Sequence, residues 1–104
     1  MDGNKVPKVV ILEQEKKTPT RSPIDDNLEI LVSSVNNTLS IMFTGYLPDA
    51  NITVTDAQGN AVVQQTLVTI TTGLTYFVTP DDSYPYDIVI TSPTLDITGE
   101  IIDE

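Results

Sequence analysis

The sequence has no cysteine, no histidine and no tryptophan, and no lysine or arginine follows Arg21. Without cysteine, a disulfide framework and a thiolate metal site are both excluded. Acid–base and nucleophilic catalysis usually depend on histidine, cysteine or a lysine with a shifted pKa, and beyond Arg21 only carboxylates remain as bases. The sequence therefore predicts no enzymatic activity, no catalytic or metal-binding residues and no cofactor.

Positive charge is confined to the start of the chain, where all five basic residues lie: Lys5, Lys8, Lys16, Lys17 and Arg21. Of the 15 acidic residues only Asp2, Glu13 and Glu15 precede Arg21, and the net charge is −10. This charge argues against binding to nucleic acid, which requires a basic surface, and against an anionic membrane.

The length of 104 residues fits one domain. We expect a single unit over 1–104, with a basic N-terminal strand and polar connection over 1–21 and an acidic body over 22–104. No apolar run approaches the ~18 residues of a membrane-spanning helix. The residues after Met1 also lack the apolar segment of a signal peptide.

Apolar and polar residues alternate through most of the chain, as in Leu39-Ser40-Ile41-Met42-Phe43. This period of two indicates half-buried β-strands. The predicted strands lie near 6–12, 28–34, 38–45, 51–56, 61–69, 74–78, 86–91 and 95–102. Seven or eight short strands without helical crossovers predict an all-β, antiparallel sandwich or barrel and exclude a parallel α/β sheet.

The same alternation predicts which side chains face the core of the sandwich. The predicted inward residues are Leu39, Ile41, Phe43, Ile52, Val54, Tyr86, Ile88, Ile90, Leu95 and Ile97. Asn36-Asn37 suits a hairpin turn, and Gly59 supplies the positive φ that a second turn requires.

The N-terminal residues 6–12 are predicted to form a strand that docks along a sheet edge. We expect backbone hydrogen bonds and apolar contacts through Val9 to Leu12 to hold it, with 13–27 as a polar connection. The edge belongs either to the same chain or to a second one, because an exposed edge invites strand addition. The protein is thus a monomer or a strand-exchanged dimer.

Acidic residues in turns are candidate calcium ligands: Asp25-Asp26, Asp49 and Asp81-Asp82. Their spacing does not match an EF-hand loop, so we expect them to be solvated turn residues. Paired carboxylates could also hydrolyse glycosidic bonds. Such clefts are rich in aromatic residues, whereas this chain has four tyrosines, two phenylalanines and no tryptophan.

Tyrosines near loops are candidates for binding a sugar or a protein. Tyr84 and Tyr46 are the better candidates, because the alternation places Tyr86 on the core face. Two segments match the glycosylation sequon, at Asn36 and at Asn51, but this pattern is short and arises by chance in chains rich in Asn and Thr.

Several segments together resemble a known family. Arg21-Ser22 precedes a strand, the segment 39–43 precedes the strand-turn-strand of 52–63, and the segment 86–91 precedes Gly99-Glu100-Ile101. This pattern resembles a family of small secreted proteins from gut Bacteroides and relatives, known as domain of unknown function 3244. The likeness extends from about Val6 to Ile102, and the strand-turn-strand is shared with fibronectin-like modules.

The resemblance implies an immunoglobulin-like β-sandwich, related to fibronectin type III modules, and export through a signal peptide that would have been removed here. It implies no catalytic residues. One departure is the loop 80–85, where the family often has a glycine-bearing turn. The favoured function is a non-enzymatic extracytoplasmic module, secreted, periplasmic or at the cell surface, that binds an unknown protein or glycan. The alternative is a small carboxylate-dependent enzyme or a calcium-dependent carbohydrate-binding module.

Overall fold

The computed structural model describes residues 6–16 and 28–103. Within these ranges the chain forms eight β-strands and no helix. The strands are β1 Pro7–Lys16, β2 Glu29–Val35, β3 Thr38–Thr44, β4 Leu47–Thr55, β5 Ala61–Ile70, β6 Thr75–Val78, β7 Tyr86–Thr91 and β8 Leu95–Asp103. The prediction of seven or eight strands is confirmed.

The strands form two antiparallel sheets. The five-stranded sheet has the order β1-β8-β7-β4-β5, and the three-stranded sheet has the order β2-β3-β6. The chain passes between the sheets after β1, β3, β5 and β6. The architecture is therefore a β-sandwich rather than a single meander, as the sequence predicts.

The core lies between the two sheets. All ten residues predicted to face inward are at most 3% exposed. Sequence reasoning did not name six further core residues: Leu47, Ala50, Val63, Ile70, Val78 and Ile101. In β8, for example, every second residue from Leu95 to Ile101 is buried, because successive side chains of a strand point to opposite faces.

Two predicted turns are present. Asn36 and Asn37 have φ of 55° and 63°, so both residues of the β2–β3 hairpin take the left-handed conformation of a tight two-residue turn. Gly59 has φ of 91°. The carboxylate of Asp56 supports this second turn, because its Oδ1 accepts hydrogen bonds from the backbone amides of Gln58 and Asn60.

The N-terminal strand docks on a sheet edge, as predicted, and the edge is β8 of the same chain. Two details of the prediction are wrong. The strand continues to Lys16, because pairing with β8 needs only backbone groups and resumes after a bulge at Leu12. Apolar contact through the whole segment from Val9 to Leu12 is also wrong, since Ile11 is 44% and Leu12 is 61% exposed.

Candidate functional site

The outward face of the five-stranded sheet is acidic. The register places Asp87 of β7 directly opposite Glu100 of β8, and Glu15 of β1 directly opposite Asp96. Glu13 lies on the same face, opposite Thr98. Like charges directly opposite each other on neighbouring strands repel and cost stability. This face, hereafter the acidic face, would therefore repel an acidic partner and attract a basic one.

The outward face of the three-stranded sheet is different in character. Pairing aligns Leu31 with Met42 and Thr75 in one row, and Ser33 with Ser40 and Phe77 in the next. Val35 and Thr38 continue the face beside the hairpin turn. These eight residues carry no charge and are hereafter called the uncharged face; the charged Glu29, paired with Thr44, borders them at the other end of β2. On it Leu31 is 44%, Val35 63% and Phe77 68% exposed.

The loop between β6 and β7 contains a buried carboxylate. Asp81 is 1% exposed, and its Oδ2 accepts a hydrogen bond from the hydroxyl of Ser34 in β2. The expectation that Asp81 is a solvated turn residue is therefore wrong. Its side chain is turned inward to join the loop to β2, whereas its neighbour Asp82 is exposed. The sequence gives no sign of this difference, because it depends on which strand lies opposite the loop.

The predicted calcium ligands do not come together. Asp49 lies near the start of β4, whereas Asp81 and Asp82 lie beyond the end of β6 at the opposite end of the sandwich. Asp25 and Asp26 fall outside the described residues. Across 6–16 and 28–103, no group of three or more His, Cys, Asp or Glu side chains could hold a metal ion.

The tyrosines occupy three different environments. Tyr86 is fully buried, as predicted, and its hydroxyl donates to the carbonyl of Pro80 and accepts from the amide of Ser83. A tyrosine at the start of a strand that bonds back to the preceding loop is typical of the tyrosine corner of immunoglobulin-like sandwiches. Tyr84 packs on Tyr86, and its hydroxyl is also buried. Of the two binding candidates, only Tyr46, which is 49% exposed, is presented to solvent.

Burial also shifts the ionisation of this pair. Desolvation, together with the negative charge of Asp81, raises the pKa of Tyr84 to about 12. Desolvation likewise raises the pKa of Tyr86, partly offset by its hydrogen bond with Ser83. Both side chains therefore stay neutral at physiological pH and contribute no charge to the loop.

Among the surface cavities lined by described residues, two lie at opposite edges of the sandwich. One, of about 340 Å³, opens between β1 and β2, and Glu29 is the carboxylate in its lining. The other, of about 430 Å³, lies beside the β4–β5 bulges, and Asp49 is the carboxylate in its lining. Neither cavity brings two carboxylates together, which acid–base catalysis by carboxylates requires.

The second cavity is held together by internal bonds. Asn51 accepts a hydrogen bond from the amide of Leu67 and donates one to the hydroxyl of Thr91. Leu67 itself has φ of 56°, an uncommon conformation for a leucine. The Asn51 side-chain amide thus joins β5 to β7 across β4. Asn51 therefore has a structural role, whether or not it belongs to a functional sequon.

Comparisons with known proteins place the fold. No family model matches the chain, and no curated protein matches it. Among solved structures it is similar to a DUF3244 family protein with an immunoglobulin-like β-sandwich fold from Bacteroides vulgatus. The TM-score is 0.51 at 22% identity, over 93% of this chain and 100% of that one. The chain has an immunoglobulin-like β-sandwich fold. The resemblance noted in the sequence therefore points to the right fold.

The described residues contain no helix long and apolar enough to span a membrane. What distinguishes this sandwich is the contrast between its two outer faces. Sequence reasoning identified neither face, because each includes strands that are distant in sequence and adjacent only in the sheets, such as β6 beside β3 and β1 beside β8. The signal was present only as Phe77, Val35 and Leu31, which break the expectation that outward positions are polar.

Proposed function

We propose that the protein is a non-enzymatic, extracytoplasmic immunoglobulin-like module of the domain of unknown function 3244 family, and that it binds a protein partner. The observation that carries this proposal is the uncharged face. Exposed apolar side chains grouped on one face, in a chain that is otherwise acidic, are typical of an interaction surface. Phe77, the most exposed aromatic residue on that face, is the expected anchor.

The size of the uncharged face limits the strength of binding. Three strands about 4.8 Å apart, over a span of about five residues, cover roughly 240 Å². A stable complex usually buries about 800 Å² on each partner. The face alone therefore supports a weak or transient contact, or one that continues onto a neighbouring surface.

The alternative is an enzyme or a calcium-dependent carbohydrate-binding module, and it has less support. Asp81 is buried against Ser34, and Asp49 and Asp82 lie at opposite ends of the sandwich. A carboxylate mechanism needs two acidic groups about 5–10 Å apart across a cleft. Each of the two cavities contributes one.

Site-specific crosslinking tests the proposed face. A photo-reactive residue is placed at Phe77 on the uncharged face or, as the matched control, at Val89 on the acidic face, and the protein is produced in its native cell. Any protein captured only from position 77 is purified and its affinity for the module measured. We expect Phe77→Ser to weaken that binding by roughly tenfold or more. Val89→Ser should leave it within about twofold. Equal capture from both positions, or binding that Phe77→Ser does not change, contradicts the proposal.

The extracytoplasmic location rests on the family resemblance, since that family is secreted. Fractionation of the native cell, followed by detection with an antibody against the chain, tests it. We expect the protein in the medium, in the periplasm or on the outer surface. Recovery with the cytosolic proteins contradicts this location.

A further inference from the structure

The four edge strands of the sandwich are unequally protected against pairing with another strand. Proteins usually guard such edges with bulges, charges, proline or short length. β1 begins with Pro7 and has a bulge at Leu12 and four charged residues, β5 has register shifts against β4, and β6 has four residues. β2 has seven residues, no proline, no bulge and a single charge, at Glu29.

The backbone of β2 offers a regular row of groups that pair with no strand among the described residues. The turn at Asn36-Asn37 makes Val35 and Thr38 a hydrogen-bonded pair, as in any two-residue hairpin. Pairing alternates along an antiparallel ladder, so the amides of Leu31 and Ser33 point to β3. The amides of Ile30 and Val32 point to the open edge, where no described strand pairs with them.

An apolar groove runs beside this edge. β1 lies close to β2, but the two strands belong to different sheets and share no pairing. Ile11 of β1 is paired with the buried Gly99 and therefore faces inward, yet it is 44% exposed because no strand of the three-stranded sheet covers it. Val9, Ile30 and Ile97 line the same groove of about 340 Å³.

The opposite edge of the five-stranded sheet, at β5, does not have an apolar groove of this kind. There the inward-facing residue of β5 opposite the buried Ile52 is Gln65. Its side chain is exposed, and a polar amide in contact with water carries no free-energy penalty. Of these two edges, the one beside β2 is thus where the sandwich leaves apolar, inward-facing side chains uncovered.

We propose that the open edge of β2 and the groove between β1 and β2 form a binding site for a single extended peptide strand of a partner protein. The strand adds to the three-stranded sheet next to β2, and its alternate side chains enter the groove. This site adjoins the uncharged face at Leu31, which also lines the groove, but it does not include Phe77.

The geometry favours one strand over a second copy of the domain. β1 extends the five-stranded sheet past β2, so a second sandwich pairing through its own β2 would bring its own β1 into the same space. A lone strand avoids this collision. Its groove-facing residues should be apolar, to match Val9, Ile11 and Ile30. Its outward residues should be neutral or basic, because the module has a net charge of −10.

Hydrogen exchange of the free protein gives the first test. We expect the amides of Ile30 and Val32 to exchange at least roughly tenfold faster than those of Leu31 and Ser33, which bond to β3. Slow exchange at Ile30 and Val32 in the monomeric free protein shows that its own chain already covers the edge and overturns the proposal. Slow exchange in a protein that sediments as a dimer assigns the edge to a second copy and also overturns it.

The second test uses an acetylated and amidated eight-residue peptide of alternating valine and lysine. An isomer with four valines followed by four lysines has the same charge and composition and is the control. At about 0.15 M salt, which screens exposed charges, we expect the alternating peptide to bind at least roughly fivefold tighter. It should also slow exchange at Ile30 and Val32. Equal affinities, or binding without this protection, overturn the proposal.

Neighbouring residues of β1 supply the matched variants. Ile11 lines the groove, whereas Leu12 sits at the bulge and is 61% exposed. Ile11→Ser should weaken binding of the alternating peptide roughly tenfold, and Leu12→Ser should leave it within about twofold. An equal effect of both variants contradicts a groove site. Phe77→Ser should leave peptide binding unchanged, so failure at the uncharged face is distinguished from failure here.

Discussion

Tyr84 and Tyr86 meet edge to face, with ring centroids 5.1 Å apart and ring planes at 85°. The two hydroxyls are both buried but differently satisfied. The hydroxyl of Tyr86 contacts the amide of Ser83 and the carbonyl of Pro80, each at 3.3 Å. The hydroxyl of Tyr84 has no hydrogen-bond partner among the described residues. The same substitution should therefore have different effects at the two positions.

Replacing each tyrosine by phenylalanine tests this difference. Tyr86→Phe leaves two partly buried backbone groups without this partner and should lower the free energy of unfolding by about 0.5–1.5 kcal/mol. Tyr84→Phe removes an unsatisfied hydroxyl and should be neutral or stabilising by up to about 1 kcal/mol. Urea denaturation of both variants measures the two effects. A Tyr84→Phe variant that is as unstable as Tyr86→Phe would show that the Tyr84 hydroxyl has a partner, such as a bound water.

Alkaline pH should destabilise the protein through ionisation of Tyr84 in the same loop. Desolvation raises the pKa of Tyr84 to about 12 in the folded chain, from the 10.0 of a tyrosine in water. A raised folded pKa stabilises the native state fully below the unfolded pKa, and this stabilisation is lost as pH rises through the folded pKa. We expect Tm to fall between about pH 10 and pH 12, and to fall less in Tyr84→Phe. In a titration followed by tyrosinate absorbance, the variant Tyr84→Phe should lose an ionisation step at high pH. If all the high-pH steps remain in the variant, this assignment is contradicted.

Glycines with positive φ provide a further matched pair. Gly45 has φ of 108°, and an added Cβ would lie 2.8 Å from the Cα of Leu28. Gly59 has φ of 91°, and an added Cβ would meet nothing within 4 Å. Gly59→Ala should cost about 1 kcal/mol, from backbone strain alone. Gly45→Ala should cost clearly more, because the backbone of β3–β4 must also move away from Leu28. Thermal unfolding of both variants measures this, and equal losses of stability would indicate that Leu28 yields easily.

Local alternation was enough to predict the strands and the core. In β3 the alternation gives the inward face directly, and Leu39, Ile41 and Phe43 are all fully buried. The hairpin at Asn36-Asn37 was also readable, because few residues other than glycine and asparagine tolerate two consecutive positive φ angles. These features depend on residues that are close in the sequence.

Features that depend on neighbouring strands could not be read in the same way. Asp81 and Asp82 are identical side chains in the same loop, and only the position of Ser34 makes one buried and the other exposed. Ile11 has the alternation of a core residue, yet it remains 44% exposed because the opposite sheet has fewer strands. The candidate sites are of this second kind, since strand order in the sheets creates them.

The acidic face should carry a measurable electrostatic cost. Asp87 and Glu100 are directly opposite each other on β7 and β8. Asp87→Asn should raise the free energy of unfolding by about 0.2–1 kcal/mol, with a larger gain at low salt. Asp49→Asn is the control, because Asp49 is exposed and has no residue paired opposite it in the β4–β5 register. Denaturation at two salt concentrations measures both. A gain that does not shrink as salt rises would show that repulsion is not its source.

The N-terminal strand offers the last test, because its attachment to β8 is mostly a matter of backbone pairing. Of its ten residues, Val9 packs against the core, whereas Ile11 and Leu12 remain substantially exposed. Deleting residues 1–21 removes this pairing and uncovers the edge of β8. We expect Tm to fall by several degrees, since about 1 kcal/mol corresponds to 4–8 °C in a domain of this size.

A deletion of residues 1–5, which leaves β1 whole, is the control and should keep most of the Tm. If the longer deletion melts unchanged, β1 contributes nothing to stability and its pairing with β8 is incidental. The dependence of Tm on protein concentration tests whether β1 pairs in solution with β8 of its own chain, as in the structure. A Tm that is independent of concentration fits β1 paired within its own chain, whereas one that rises with concentration identifies a dimer in which β1 is exchanged.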